Sequence, residues 1–293
     1  MLISWSRKAL FVVVLGATPV FMSCSGEKAD TGDPSLADTA QAADDTTSDV
    51  RRMRMVVGGL ESGEPDSLKE IDPRTFNGWK VVVYQNVRVM CPPTHAHAGQ
   101  LDQMAQAIHM AMIHDCQFLR MNMPRDTVVV MYYTGPGQGK EVTGISHSFA
   151  LNDTLHHWPP NHLGTPIMKY LIPKWQPGPP GSHFLRNGLL TLLDNSGENY
   201  HERTVNNHRR GTLEHLSELA VNPYLEFDEE CRQSAMAASF VDFVVFNFGV
   251  ETFKRLWDSD GDFETAVNGE FNITVDSLHT LWVTMLEEVF PEP

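Results

Sequence analysis

Basic residues are in short supply: 22 Lys and Arg stand against 37 Asp and Glu, a formal net charge of -15 over 293 residues. That balance argues against nucleic acid as a partner. Cysteine is also scarce, with four in the chain. Beyond Cys24 only Cys91, Cys116 and Cys231 remain. An odd number leaves at least one thiol unpaired, and spacing alone does not pair the others. A Cys91–Cys116 bridge and three buried free thiols are both open. Their apolar or acidic settings would not lower a thiol pKa, so cysteine nucleophile chemistry has no support. Gly-x-Ser-x-Gly, phosphate-loop and dinucleotide fingerprints are missing. So are internal repeats and any second apolar run of membrane length.

The one long apolar run is at the start. Arg7 and Lys8 precede Ala9 to Met22, the length of a signal-peptide core and too short to span a bilayer. It ends at Phe21-Met22-Ser23-Cys24, which resembles the bacterial lipobox, with Phe21 where Leu is usual. The resemblance implies lipidation of Cys24 after removal of residues 1–23. Ser25 rather than Asp behind the cysteine implies outer-membrane sorting, facing the periplasm. An ordinary secretory signal cleaved near Ser23 or Ser25 is the competing reading. Ser25 to Asp49 has no aromatic residue and sets Glu27, Asp30, Asp33, Asp38, Asp44, Asp45 and Asp49 against Lys28. Such a segment cannot bury enough apolar surface to offset its ordering entropy. Residues 24–72 are therefore expected to be a disordered acidic tether that ends in an irregular cap.

The remaining 73–293 suffice for one good-sized core or two lobes. Trp79 to Tyr84 is β-branched and aromatic and reads as a strand, with Val87 to Met90 as its continuation or hairpin partner. Leu101, Met104, Ile108, Met112 and Leu119 lie on one side of a long helix over 99–121. Asp126 to Tyr133 is the strongest strand signal, Gly135 to Gly139 reads as a turn, and Ile145 to Leu151 alternates again. A polar insertion runs from Asn195 to Arg210, and from Leu213 the pattern is helical to the end. The order of elements predicts an α+β fold with a small N-terminal sheet and long helix (73–181), followed by a helical lobe (182–293).

Gln233 to Phe243, then Asn247-Phe248-Gly249 and Phe253-Lys254-Arg255-Leu256, resemble the C-terminal part of peptidase MA-like, gluzincin-type zinc metallopeptidase domains. Pro173-Lys174-Trp175 through Phe184-Leu185 and Asn187-Gly188-Leu189 are similar to the loop and helix that carry the third metal ligand there. The resemblance spans about Trp79 to Trp282 and implies a zincin-like fold. It also implies where chemistry should be. In H-E-x-x-H two imidazoles one helical turn apart converge on zinc, and the Glu takes a proton from the bound water. Here that slot reads His162-Leu163-Gly164-Thr165-Pro166 and the third ligand position is Asn187. Only His162 keeps a metal-binding side chain. Pro166 fits a helix that starts near Thr165.

The expected protein is thus an envelope lipoprotein with a catalytically inactive gluzincin-like domain and no catalytic residue or cofactor. Its partners would be the membrane, through the lipid, and a peptide or envelope protein. The alternative is a metallohydrolase with zinc on relocated ligands, His157, His162 and His183. A third reading has no cleft, the groove being filled by Leu163, Ile167, Leu189 and Leu192. His201-Glu202 begins a second H-E-x-x-H and stops at Val205, in what reads as a solvated loop. His95 and His97 read as surface residues of a Pro/Gly-flanked loop, and Glu214, His215 and Glu218 as a solvated helix face. Asp258, Asp260 and Asp262 have the opening spacing of a calcium loop, but Phe263 and Gly269 occupy the positions that need Gly and Glu.

Overall fold

The computed structural model describes residues 67–291 except 160, 179, 222–231, 260 and 261. The signal segment, Cys24, all of the tether before Ser67, Cys231 and the 260–261 turn lie outside the described residues. Residues 62–293 make up one compact unit. One core runs from Val87 to Leu286 through both the 73–181 and the 182–293 parts.

The fold is α+β. Lys80–Tyr84 (β1) and Val87–Cys91 (β2) form an antiparallel hairpin, with the turn made at Gln85 in the left-handed region. Leu101–Phe118 (α1) crosses back so that Val128–Tyr132 (β3) runs parallel to β2. Phe149–Leu151 (β4) and Thr154–His157 (β5) are an antiparallel pair, with β5 parallel to β3. The spatial order is β1-β2-β3-β5-β4. The strands alternate. Val87, Val89, Cys91, Val128, Val130 and Leu155 are fully buried on the inner face. Ala105, Ile108 and Met112 of α1 belong to the same core. Cys91 and Cys116 are both buried free thiols, so the bridge between them is not made.

The Gly135–Gly139 stretch is not a turn but the start of the helix Pro136–Thr143 (α2), with Pro136 at a position where its missing N–H is no loss. Gly139 lies against the face of Trp158, which packing makes this glycine-rich helix possible. The 145–151 alternation yields a strand only at Phe149–Leu151. Lys69 N–H donates to the Thr143 carbonyl, which docks the end of the expected cap beside α2.

Gly164–Trp175 (α3) and His183–Leu192 (α4) follow, with Pro173 inside the last turns of α3 rather than in a loop. Tyr200–Arg209 (α5) replaces the expected polar insertion; Asn199 caps it and accepts from Glu202 N–H. Leu216–Val221 (α6) comes next. Arg232–Phe248 (α7) is the hub of the helical half and packs against α4 and α5. Ala235, Ala237 and Ala238 are fully buried and keep its surface low. Opposite them is Gly188, where a Cβ would come within 2.5 Å of the Ala237 carbonyl oxygen. Val250–Trp257 (α8), Phe263–Phe271 (α9) and Val275–Val289 (α10) close the fold. Asp262 and Thr274 cap the last two, each accepting an N–H of the first turn.

Candidate functional site

The structure separates the positions that the zinc-peptidase resemblance joins. His162 is exposed in the coil before α3, Leu163 is the helix N-cap, and Pro166 lies in the first turn of a helix that begins at Gly164. The Gly164 N–H donates to the Asp194 carbonyl at 3.1 Å. A Cβ on Gly164 would lie 2.1 Å from the Asp194 carbonyl carbon, so only glycine permits this approach. Asp194 is seven residues beyond Asn187 (187 to 194), about 10 Å at helical rise. The start of α3 therefore meets the far end of α4, not the third-ligand position. Asn187 is buried, and its Nδ2 has no hydrogen-bond partner among the described residues.

Apolar side chains occupy this junction. Ile167 and Leu189 are core residues, and Leu163 and Leu192 pack against the same core. Zinc does not fit these residues: Leu163 and Pro166 offer no donor, and Asn187 offers a neutral amide. The relocated triplet is not assembled either. His157 is buried at the end of β5, His162 is exposed, and His183 is exposed at the first position of α4. Among the described residues no group of three His, Cys, Asp or Glu is placed to hold a metal ion.

Several histidines have instead been taken into packing. His156 stacks between Phe149 and Tyr133, and Tyr133 Oη lies 2.8 Å from its Nδ1. His157 lies against Tyr132, with Ser148 Oγ 3.3 Å from its Nδ1. Burial lowers both imidazoles to about 4; for His157, nearby His162 and His95 add to this. Both are neutral at pH 7. His95 is not a surface residue: it is buried against Tyr132, and its Nδ1 accepts from the His97 N–H. His215 and Glu214 precede α6 rather than lie on it. His215 pairs with Asp276 and contacts the His279 ring, while Glu214 accepts from Arg232 and Gln233.

A connected polar constellation sits between α5 and α7. His201 is on α5, not in a loop. Its Nε2 is 2.8 Å from Asp242 Oδ2 and its Nδ1 is 2.8 Å from Ser239 Oγ. The Trp282 Nε1–H of α10 donates to the same Ser239 oxygen at 3.1 Å. In the tautomer whose Nε2–H donates to Asp242, Nδ1 accepts from the serine hydroxyl. His201, Ser239 and Asp242, with Leu192, Glu198, Asn199 and Tyr200, line a half-open cleft of about 240 Å³. Tyr200 Oη donates to Asp194 Oδ2 at 2.6 Å. Burial foremost, and then that carboxylate, raise the tyrosine pKa well above its usual range.

Ser, His and Asp in one chain of hydrogen bonds invite comparison with nucleophilic catalysis, but the serine is fully buried and engaged from both sides. It ties α5, α7 and α10 together, and with no exposed surface it offers a substrate no nucleophile. What faces the opening is acidic: Asp242 is about a third exposed and Glu198 about half, the latter 3.6 Å from Arg203. The cleft can accept hydrogen-bond donors or a small cationic group. Periodicity carries a weak signal for α5, because eight of its ten residues are polar or charged. Only the Asn199 cap with Glu202 in the first turn marks its start. No family model matches the chain, and no curated protein shows detectable similarity to it.

Proposed function

We propose that this chain is an envelope protein, tethered to the membrane by lipid on Cys24, whose zincin-like domain is a scaffold or binding module and not a peptidase. The observation that supports this best is the lack of metal donors at the start of α3. Leu163 and Pro166 offer a metal no ligand there, and Ile167, one turn on from Leu163, belongs to the buried core. The buried, unpartnered amide of Asn187 is the second support. An orphaned buried polar group costs roughly 1–3 kcal/mol, a cost with no structural return where it stands.

Two measurements on the full chain, extracted in detergent, test the reading. Elemental analysis should show no stoichiometric zinc after dialysis, and a peptide library should stay uncut with or without chelator. Stoichiometric zinc with chelator-sensitive cleavage would defeat it and favour the relocated-ligand hydrolase. Radiolabelled palmitate should enter the wild-type protein and not the Cys24→Ala variant. Equal labelling, or none in either, removes the tether from the proposal.

A further inference from the structure

β1 is an edge strand among the described residues, hydrogen-bonded to β2 on one side only. The two-residue turn at 85–86 makes Tyr84 and Val87 the closing pair, so Tyr84, Val82 and Lys80 exchange hydrogen bonds with β2. The N–H and C=O groups of the intervening residues, Val81 and Val83, therefore point away from the sheet, into the open edge. Their side chains are on the outer face and are 48% and 58% exposed. Met90 is directly across from Val81, and Met131 is across from Met90. An apolar row thus runs along the outer face and ends at the open edge.

Natural sheets guard such edges with a charge, a proline or a bulge. This one has none. Its five pairs with β2 are in continuous register, and proline is absent from the strand. The lone lysine is tied away from the edge, with Lys80 Nζ on the Ala98 carbonyl.

We propose that β1 pairs with β1 of a second copy of this chain, antiparallel, about a two-fold axis through Val82. The strand is its own complement in that register. Val81 falls opposite the partner's Val83, and Val83 opposite the partner's Val81. Both of these are pairs whose backbone groups point across the edge, which gives four hydrogen bonds. The same register sets each exposed valine against the other on the outer face, and β-branched cross-strand neighbours are favourable. A two-fold, isologous contact closes on itself and does not propagate. The two sheets become one ten-stranded sheet, its apolar row continuous from Met131 and Met90 through Val81 to the partner's Val83. The inference rests on the edge geometry alone and stands whether or not the domain is a peptidase.

Site-directed crosslinking of the full chain in detergent tests it. The Val81→Cys/Val83→Cys double variant should form a disulfide-linked dimer under mild oxidation. Wild type and Leu281→Cys, a position 47% exposed, should not. In sedimentation, wild type should show a concentration-dependent dimer, and Val81→Lys/Val83→Lys should shift its dissociation constant by about tenfold or more. A monomeric wild type, lysine variants that dimerise as wild type does, or equal crosslinking through Leu281→Cys would each overturn the proposal.

Discussion

Ser239 illustrates how a single hydroxyl can look catalytic and be structural. Fully buried, it joins His201 of α5 to Trp282 of α10 from its place on α7. Ser239→Ala should leave the Trp282 N–H and His201 Nδ1 without partners, and each orphaned group costs roughly 1–3 kcal/mol. Urea unfolding should therefore show a loss of about 2–5 kcal/mol, with the slope unchanged. Asn187→Leu should behave oppositely. It removes a buried donor that has no partner and substitutes a side chain of similar size. The midpoint should stay level or rise, by about 1 kcal/mol at most. A marked loss would mean that the Asn187 amide is engaged after all. Neither residue's role was legible in the sequence. The Ser239 bonds link positions 38 and 43 residues apart, and nothing local to Ser239 or His201 announces them. Leu163 and Pro166 were legible at once, because their chemistry excludes metal binding wherever the chain puts them.

Among elements, those with strong periodicity were read correctly and those fixed by tertiary contact were not. β1, α1 and β3 follow from their β-branched runs and apolar stripe, and the hairpin is one of the two pairings left open for Val87 to Met90. α2 was hidden by three glycines and a proline; it forms because Trp158 packs over Gly139. α5 was hidden by its polarity, and it folds because Tyr200 and Val205 are buried and its Thr204 hydroxyl reaches Ala235 on α7. The crossing of α4 and α7 gives a sharp element-scale prediction. Gly→Ala inside a helix ordinarily stabilises by about 1 kcal/mol. At Gly188 the added methyl would meet the Ala237 carbonyl and the Val241 side chain at 2.5 and 2.7 Å. The helices must separate, so Gly188→Ala should destabilise by about 1–3 kcal/mol. A stabilised variant in a denaturant titration would mean that the two helices do not approach as closely as described.

At the scale of the molecule, composition announced an acidic α+β protein but not that both halves share one core. Nor could it show how many histidines that core has absorbed. His156, His157 and His279 are each lowered to about 4, first of all by burial. For His279 the neighbouring His215 and His208 act in the same direction and Asp276 opposes them. The sign follows from linkage. Above the ordinary histidine value of about 6.5 both folded and unfolded chains hold these imidazoles neutral, and stability is flat. As pH falls from there toward 4, the unfolded chain takes up protons that the folded chain refuses, so stability falls. Below 4 both states are protonated and the loss levels off. The limit is about 3 kcal/mol for each of the fully buried pair, His156 and His157, and less for the partly exposed His279. Asp115 works the other way. Burial raises its carboxyl, with His114 partly offsetting this, so acid relieves a penalty there. Asp115 and the raised imidazole of His114 stand against the lowered imidazoles of His95, His156, His157 and His279, which leaves the net slope positive with pH. Thermal unfolding should show a melting temperature that is level above pH 7 and drops steeply between about pH 6.5 and 4. His156→Phe keeps the ring stack with Phe149 and Tyr133 while removing the proton site. It should flatten that slope by about one proton's share, even if the loss of the Tyr133 hydrogen bond lowers stability at neutral pH. A slope unchanged in His156→Phe would place the acid sensitivity elsewhere in the chain.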